Sequence, residues 1–210
     1  MLVGLFGGTF DPVHRGHIHA ARSVMQAVGL SSLRWVLAAR PGHRNPPQAS
    51  LTQRWAMLQA MCATEPGFAA DDTEIRAAGT SYTYNTLEMV RAQQPDAIPC
   101  WILGLDAFAT LDSWYKWQHI LDICNLLVVA RPGQAVEMPS AVRQLVQERG
   151  AATLQAGSVG QIVRLDLEML EISATDIRRR IAVGAGFEHL LIPPVSTYIS
   201  QHNLYTENVA

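Results

Sequence analysis

The 210-residue chain contains no apolar run approaching the roughly 20 residues that cross a bilayer, so no membrane segment is expected. No charged stretch precedes an apolar one at the N-terminus, so no signal peptide is expected either. Cysteine is scarce. Cys62, Cys100 and Cys124 are odd in number and widely spaced in apolar surroundings, which excludes a disulfide or zinc framework and suits reduced core thiols of a cytoplasmic protein. Charge is low as well, at 16% of residues with a formal net charge of −2, which argues against a nucleic-acid-binding face. The chain lacks both the G-x-G-x-x-G dinucleotide fingerprint and the G-x-x-x-x-G-K-[ST] phosphate loop, so neither of those mechanisms transfers. Repeats, low-complexity tracts and an interdomain linker are absent too. Residues 1–210 therefore read as one domain.

The hydrophobic content of 49% is enough to bury a substantial core. Strand-like runs (Leu2–Phe6, Leu33–Ala39, a weaker Phe68–Ile75, Pro99–Leu103, Leu126–Ala130 and Ile162–Leu167) alternate with helical ones. The helices are expected over Ile18–Val28, Leu51–Thr64, Thr83–Gln94, Ser140–Glu148, Thr175–Val183 and Val195–Asn203, with Gly29, Pro95 and Gly184 as stops. The segment Gly150–Gly160 reads as the flexible one. This alternation predicts an α/β fold: a single doubly wound, Rossmann-like parallel sheet with helices on both faces. Ligands of such sheets bind beyond the carboxyl ends of the strands. The residues just after each strand are therefore the candidates.

After the first strand comes Gly7-Gly8-Thr9-Phe10-Asp11-Pro12-Val13-His14-Arg15-Gly16-His17. A strand, a glycine turn and a helix start bring free N–H groups and the positive end of a helix dipole together, which makes an anion site. Gly7 and Gly8 are expected to let a phosphate approach the backbone. His14 and His17, three residues apart, add two imidazole donors on one face. A metal site would need a third or fourth ligand that nothing nearby supplies, so no protein-bound metal is expected. After the second strand the Pro/Gly-rich loop carries His43 and Arg44; after the third comes Gly104-Leu105-Asp106, and after the fourth Arg131.

The G-G-T-F-D-P-V-H-R-G-H stretch resembles the signature of the nucleotidyltransferase superfamily with a paired-histidine H-x-G-H element, here His14-Arg15-Gly16-His17. That resemblance implies transfer of a nucleotidyl group from a nucleoside triphosphate to a phosphate acceptor, with release of pyrophosphate. Ile172-Ser173-Ala174-Thr175-Asp176-Ile177-Arg178 reads on its own as a capped helix start, with Ser173 as N-cap. It is also similar to the superfamily's I-S-x-T-x-I-R element, which implies that Thr175 and Arg178 meet the β- and γ-phosphates. Arg179 and Arg180, about 100° apart from it and each other on the helix, are expected to meet solvent or acidic neighbours. Asp106 could be a plain helix N-cap, but the resemblance gives it the adenosine ribose.

The acceptor is read from two further segments. Gly104 to Trp117, with its Trp114-Tyr115-Lys116-Trp117, and Ser81-Tyr82-Thr83-Tyr84-Asn85-Thr86-Leu87 both resemble the bacterial nicotinate-nucleotide adenylyltransferases. There the first Trp stacks on the pyridine ring, while Trp117 reads as a packed helix face. The resemblance extends from Val3 to Tyr205, although Gly42 stands where a bulky residue usually precedes the histidine of the second-strand loop. It implies adenylyl transfer from ATP to nicotinate mononucleotide, giving nicotinate adenine dinucleotide. The implied catalytic residues are His14, His17 and Arg178. ATP would be bound by Gly7, Gly8, Thr9, Phe10, His14, His17, Gly104, Asp106, Ser173, Thr175 and Arg178. Nicotinate mononucleotide would be bound by His43, Arg44, Tyr82, Thr83, Trp114 and Arg131. Mg2+ is expected to ride on the ATP phosphates. The alternatives are another acceptor (nicotinamide mononucleotide or phosphopantetheine) and a non-catalytic ATP-binding module; self-association is left open.

Overall fold

The computed structural model describes residues 1–42, 46–155 and 157–206. Its strands, in chain order, are β1 (Leu2–Gly8), β2 (Leu33–Leu37), β3 (Phe68–Asp71), β4 (Ile98–Gly104), β5 (Asn125–Ala130), β6 (Gly150–Ala151) and β7 (Ile162–Asp166). All pair in parallel in the order β3-β2-β1-β4-β5-β7-β6. The helices are α1 (Arg15–Val28), α2 (Leu51–Cys62), α3 (Thr73–Arg76), α4 (Thr83–Gln93), α5 (Leu105–Phe108), α6 (Ser140–Arg149), α7 (Ala174–Ala182) and α8 (Pro193–Gln201). Among the described residues no helix is long and apolar enough to cross a membrane.

Strand side chains alternate between the two faces because their period is two. Leu33, Trp35 and Leu37 of β2, Cys100 and Ile102 of β4, and Leu127 and Val129 of β5 meet α1, α2, α7 and α8. Val3 and Leu5 of β1, Trp101 and Leu103 of β4, and Leu126 and Val128 of β5 meet α4, α5 and α6. Burial on both sides explains the continuous apolar runs that marked these strands. The sheet reverses its winding between β1 and β4, and their carboxyl ends open a cleft there.

Three expectations change. Phe68–Ile75 is not one strand: the Asp71 carboxylate accepts the Thr73 N–H at 2.8 Å and turns the chain into the single-turn α3. The Gly150–Gly160 segment, in its described residues, is held rather than loose. Gly150 and Ala151 pair with β7, and the buried Asn125 amide donates to the Ser158 carbonyl at 2.9 Å and accepts the Gln161 N–H at 2.9 Å. Trp114 and Trp117 do not share a helix, because Trp114 is extended and Lys116 is left-handed (φ 51°) between two short 3-10 turns.

Candidate active site

His14 is the N-cap of α1. Its Nδ1 accepts the His17 N–H at 3.3 Å, and the Nδ1 of His17 accepts the His14 N–H at the same distance. Two histidines thus form a reciprocal capping box, a role usually filled by Ser/Thr and Glu/Gln. The rings stack with centroids 3.6 Å apart. Because both Nδ1 atoms accept, the proton of each neutral ring sits on Nε2. Among the described residues neither Nε2 has a hydrogen-bond partner, and both rings line the cleft. Burial lowers the His14 pKa to about 4, and burial plus the neighbouring His14 holds His17 well below its ordinary value. Both rings are neutral donors at pH 7.

Gly16, between the two histidines, makes the stack fit. A Cβ there would lie 3.0 Å from the His14 Nδ1 and 3.3 Å from the Ile172 carbonyl oxygen. The glycine of H-x-G-H therefore brings α1 close to the strand-to-helix loop before α7. Gly7 and Gly8 have a reason other than the expected phosphate approach. A Cβ on Gly7 would fall 2.3 Å from the Trp101 ring, and one on Gly8 2.7 Å from the Phe10 ring. Phe10 is itself buried at φ 46° and packs edge-on to His17 at 5.2 Å. Phe10 supports the His17 ring from below, and Gly7, Gly8 and Thr9 lead into it from the end of β1.

The protonation states carry a stability consequence. Folded His14 has a lower pKa than the unfolded residue, so the unfolded chain binds more protons between pH 6.5 and about 4. Stability is unaffected above pH 6.5 and falls as pH drops through that window. His14 alone is expected to remove about 2 kcal/mol between pH 7 and pH 5, and His17 shifts in the same direction. Urea unfolding at the two pH values checks this, and His14→Asn should flatten the dependence; an equal pH dependence in that variant would contradict it.

The cleft measures about 400 Å3 and collects residues from four strand ends: His14 and His17, Gly104 and Asp106, Arg131, and Ser173. Asp106 is exposed in the first turn of α5, whose N-cap is Gly104, so it is not the cap that could have explained it. Its Oδ1 accepts from the Gln134 side chain at 3.3 Å. Ser173 does cap α7, its hydroxyl accepting the Asp176 N–H at 3.1 Å. Asp176 is too short to return the bond; it pairs instead with Arg179 and Arg180, which keeps both from the cleft. Arg178 turns the other way. Its Nη1 donates to the Asp11 carbonyl at 2.7 Å, its Nη2 reaches the Thr175 hydroxyl at 3.4 Å, and its buried Nε has no partner.

The residues expected on the acceptor side fall into two places. Tyr82 stands at the N-cap of α4 with its ring 4.7 Å from that of Tyr115, and Thr83 begins the helix. Half-buried Trp114 packs on the apolar cluster beneath, and its backbone N–H is committed to the Leu111 carbonyl at 3.0 Å, so that backbone group is no free donor for a carboxylate. Among the described residues no side chain caps α4, whose first-turn N–H groups point out of the helix end. Arg131 stands apart from this group: it lines the cleft with Asp106 and pairs with Glu171. His43 and Arg44 lie outside the described residues. Residues 40 and 41 pack on this wall, since Pro41 bridges Ser81 and Arg40 Nη1 donates to the Ala77 carbonyl at 2.9 Å.

Two supporting residues escaped the sequence reading. Arg54, almost fully buried in α2, donates through Nη1 to the Thr9 and Ala38 carbonyls at 2.9 Å each, clamping the ends of β1 and β2. An arginine in core-facing register with Met57, Leu58 and Met61 was the available signal. Asp11 is the second, holding the 48–49 backbone through its carboxylate.

Residues 5–180 match the cytidylyltransferase-like family. A protein of Hydrogenovibrio crunogenus named probable nicotinate-nucleotide adenylyltransferase is 38% identical over 204 residues, covering 97% of each chain. One of the same name from Cellvibrio japonicus is 41% identical over 208 residues, covering 97% of this chain and 98% of its own. The chain belongs to the nicotinate-nucleotide adenylyltransferase family. The fold agrees. The Plasmodium falciparum nicotinic acid mononucleotide adenylyltransferase complexed with NaAD superposes with a TM-score of 0.73 at 15% identity, over 100% of this chain and 99% of that one. A Vibrio parahaemolyticus structure described under the same enzyme name superposes with a TM-score of 0.65 at 16% identity, over 99% of this chain and 97% of that one.

Proposed function

We propose that the cleft transfers the adenylyl group of ATP to nicotinate mononucleotide, releasing pyrophosphate and forming nicotinate adenine dinucleotide. The observation that carries this reading is the stacked imidazole pair lining the cleft, whose Nδ1 atoms are held by the helix cap so that Nε2 is the donor left on each ring. A phosphate oxygen of the acceptor, already ionised at pH 7, attacks the α-phosphorus of ATP. The new P–O bond forms as the bond to the bridging α,β-oxygen breaks, and the electron pair leaves with pyrophosphate. No general base is needed, which suits a pair of donors with no nucleophile beside them. His14 and His17 hydrogen-bond the oxygens on which charge grows, fixed in place before substrate arrives. Arg178 and Thr175 take the β- and γ-phosphates, and Asp106 accepts a ribose hydroxyl.

Mg2+ would arrive on the triphosphate. Among the described residues no three His, Cys, Asp or Glu side chains converge to hold a metal alone, so phosphate oxygens and water would complete its shell. When bound, it neutralises charge on the leaving pyrophosphate. The acceptor ring stacks against Trp114, and its carboxylate meets the open N–H groups at the start of α4. A cytoplasmic location fits such a substrate pair.

Removing the Trp114 ring tests the acceptor assignment. Trp114→Ala is expected to raise the KM for nicotinate mononucleotide roughly 2- to 30-fold, the value of a ring-face contact to a pyridinium. The KM for ATP should stay within two-fold. Steady-state kinetics with each substrate varied in turn reads both, and an unchanged acceptor KM would move the ring site elsewhere.

A further inference from the structure

The chain returns from α8 to the catalytic turn by an uncomfortable route. Asn203 (φ 49°) and Tyr205 (φ 65°) both take the left-handed conformation that residues with a side chain seldom adopt. Such backbone persists only where its surroundings fix it. Tyr205 is buried, and its hydroxyl donates to Asp11 Oδ1 at 2.8 Å. Burial and the adjacent Asp11 hold that phenol well above its ordinary pKa, so it remains a donor at any working pH. The Asp11 carboxylate also accepts the Gln48 N–H at 2.8 Å and the Ala49 N–H at 3.1 Å. On its backbone side, the Asp11 carbonyl accepts Arg178 Nη1 at 2.7 Å. One aspartate thus joins the catalytic turn, the start of α2, α7 and the C-terminal tail.

We propose that Tyr205 is a positioning residue for ATP: through Asp11, its hydroxyl sets where Arg178 stands. This rests on the reading of Arg178 as a triphosphate ligand. With the phenol gone, the Asp11 carboxylate loses one of its three donors. Arg178 is placed to take that position, its Nη1 already lying 4.0 Å from Asp11 Oδ2. Direct pairing would draw the guanidinium toward Asp11 and away from the phosphates.

Tyr205→Phe keeps the ring and removes only the hydroxyl. The expected result is an ATP KM about ten-fold higher, the size of a lost hydrogen bond to a charged group, with the acceptor KM within two-fold. In an Arg178→Ala background the same change should move the ATP KM less than two-fold, because the group it acts through is gone. If Arg178→Ala raises the ATP KM while Tyr205→Phe does not, or if the two effects multiply, the Tyr205 role is overturned and the triphosphate reading stands. If Arg178→Ala leaves the ATP KM unchanged, the triphosphate reading itself fails. Equal rises in both substrate KM values would mark Tyr205 as merely structural and overturn the proposal. Should Tyr205→Phe not fold, Asp11→Asn is read instead: it removes the charge that would draw Arg178 while the backbone carbonyl still holds the guanidinium, so the ATP KM should stay within two-fold; a ten-fold rise there overturns the proposal.

Discussion

His17→Ala is expected to lower kcat by about 10²–10³, the usual loss on removing one preorganised donor to a developing charge. The same substitution removes the acceptor for the His14 N–H and should cost about 1 kcal/mol of stability as a lost cap. His17→Asn separates the two effects. Its amide oxygen can take the place of Nδ1 on the backbone, but nothing then occupies the place of Nε2. Melting should therefore stay near the wild type while kcat falls as far as in the alanine variant. Stopped assays of pyrophosphate release, run beside a thermal melt, read both quantities. A near-normal kcat in His17→Asn would remove the imidazole from the chemistry and leave it a cap.

Gly7→Ala should act on the fold rather than on the phosphates. The added Cβ would sit 2.3 Å from Cζ2 and 2.6 Å from Cη2 of Trp101, and that indole is only 6% exposed between β1 and the helices of the second face. A rigid ring held this way has nowhere to go, so the overpacking should cost about 3 kcal/mol, near the upper end for such changes. For a chain of this length that corresponds to a fall in Tm of roughly 6–12 °C. Trp101→Phe shortens the ring at the point of collision. The double variant should then melt higher than the sum of the single effects allows. A Gly7→Ala protein that melts normally but binds ATP poorly would restore the phosphate-approach reading of this glycine.

The two glycines show where sequence reading stops. A glycine pair after a strand and before a helix is legible as a backbone that must come close to something. For Gly7 that something includes an indole of β4, almost a hundred residues away, and no local pattern carries that information. The parallel sheet, by contrast, was legible because strands buried on both faces are written as unbroken apolar runs bounded by turns. Phe68–Ile75 failed as a strand because Asp71, which reads as an ordinary polar residue, caps the turn into α3. Asn125 likewise pins the 150–160 region through a buried amide that periodicity does not register.

The site divides in the same way. His14, His17, Asp106 and Ser173 were readable because each follows a strand end, and the fold gathers them in one cleft. The tautomers were not readable, since they follow from which nitrogen caps the helix. Nor was the separation of Arg131, which lines the cleft, from Tyr82 and Trp114, which are not among its lining residues. Arg54 and Asp11 stayed hidden because their partners are backbone groups of distant segments.

Adenylyl transfer to nicotinate mononucleotide is tested by following both products from one reaction. The protein, ATP labelled at the α-phosphorus, Mg2+ and nicotinate mononucleotide should yield labelled nicotinate adenine dinucleotide and unlabelled pyrophosphate in equal amounts. Replacing the acceptor by nicotinamide mononucleotide or phosphopantetheine should lower kcat/KM. Labelled dinucleotide formed fastest from another acceptor, or ATP bound without release of pyrophosphate, would contradict the account.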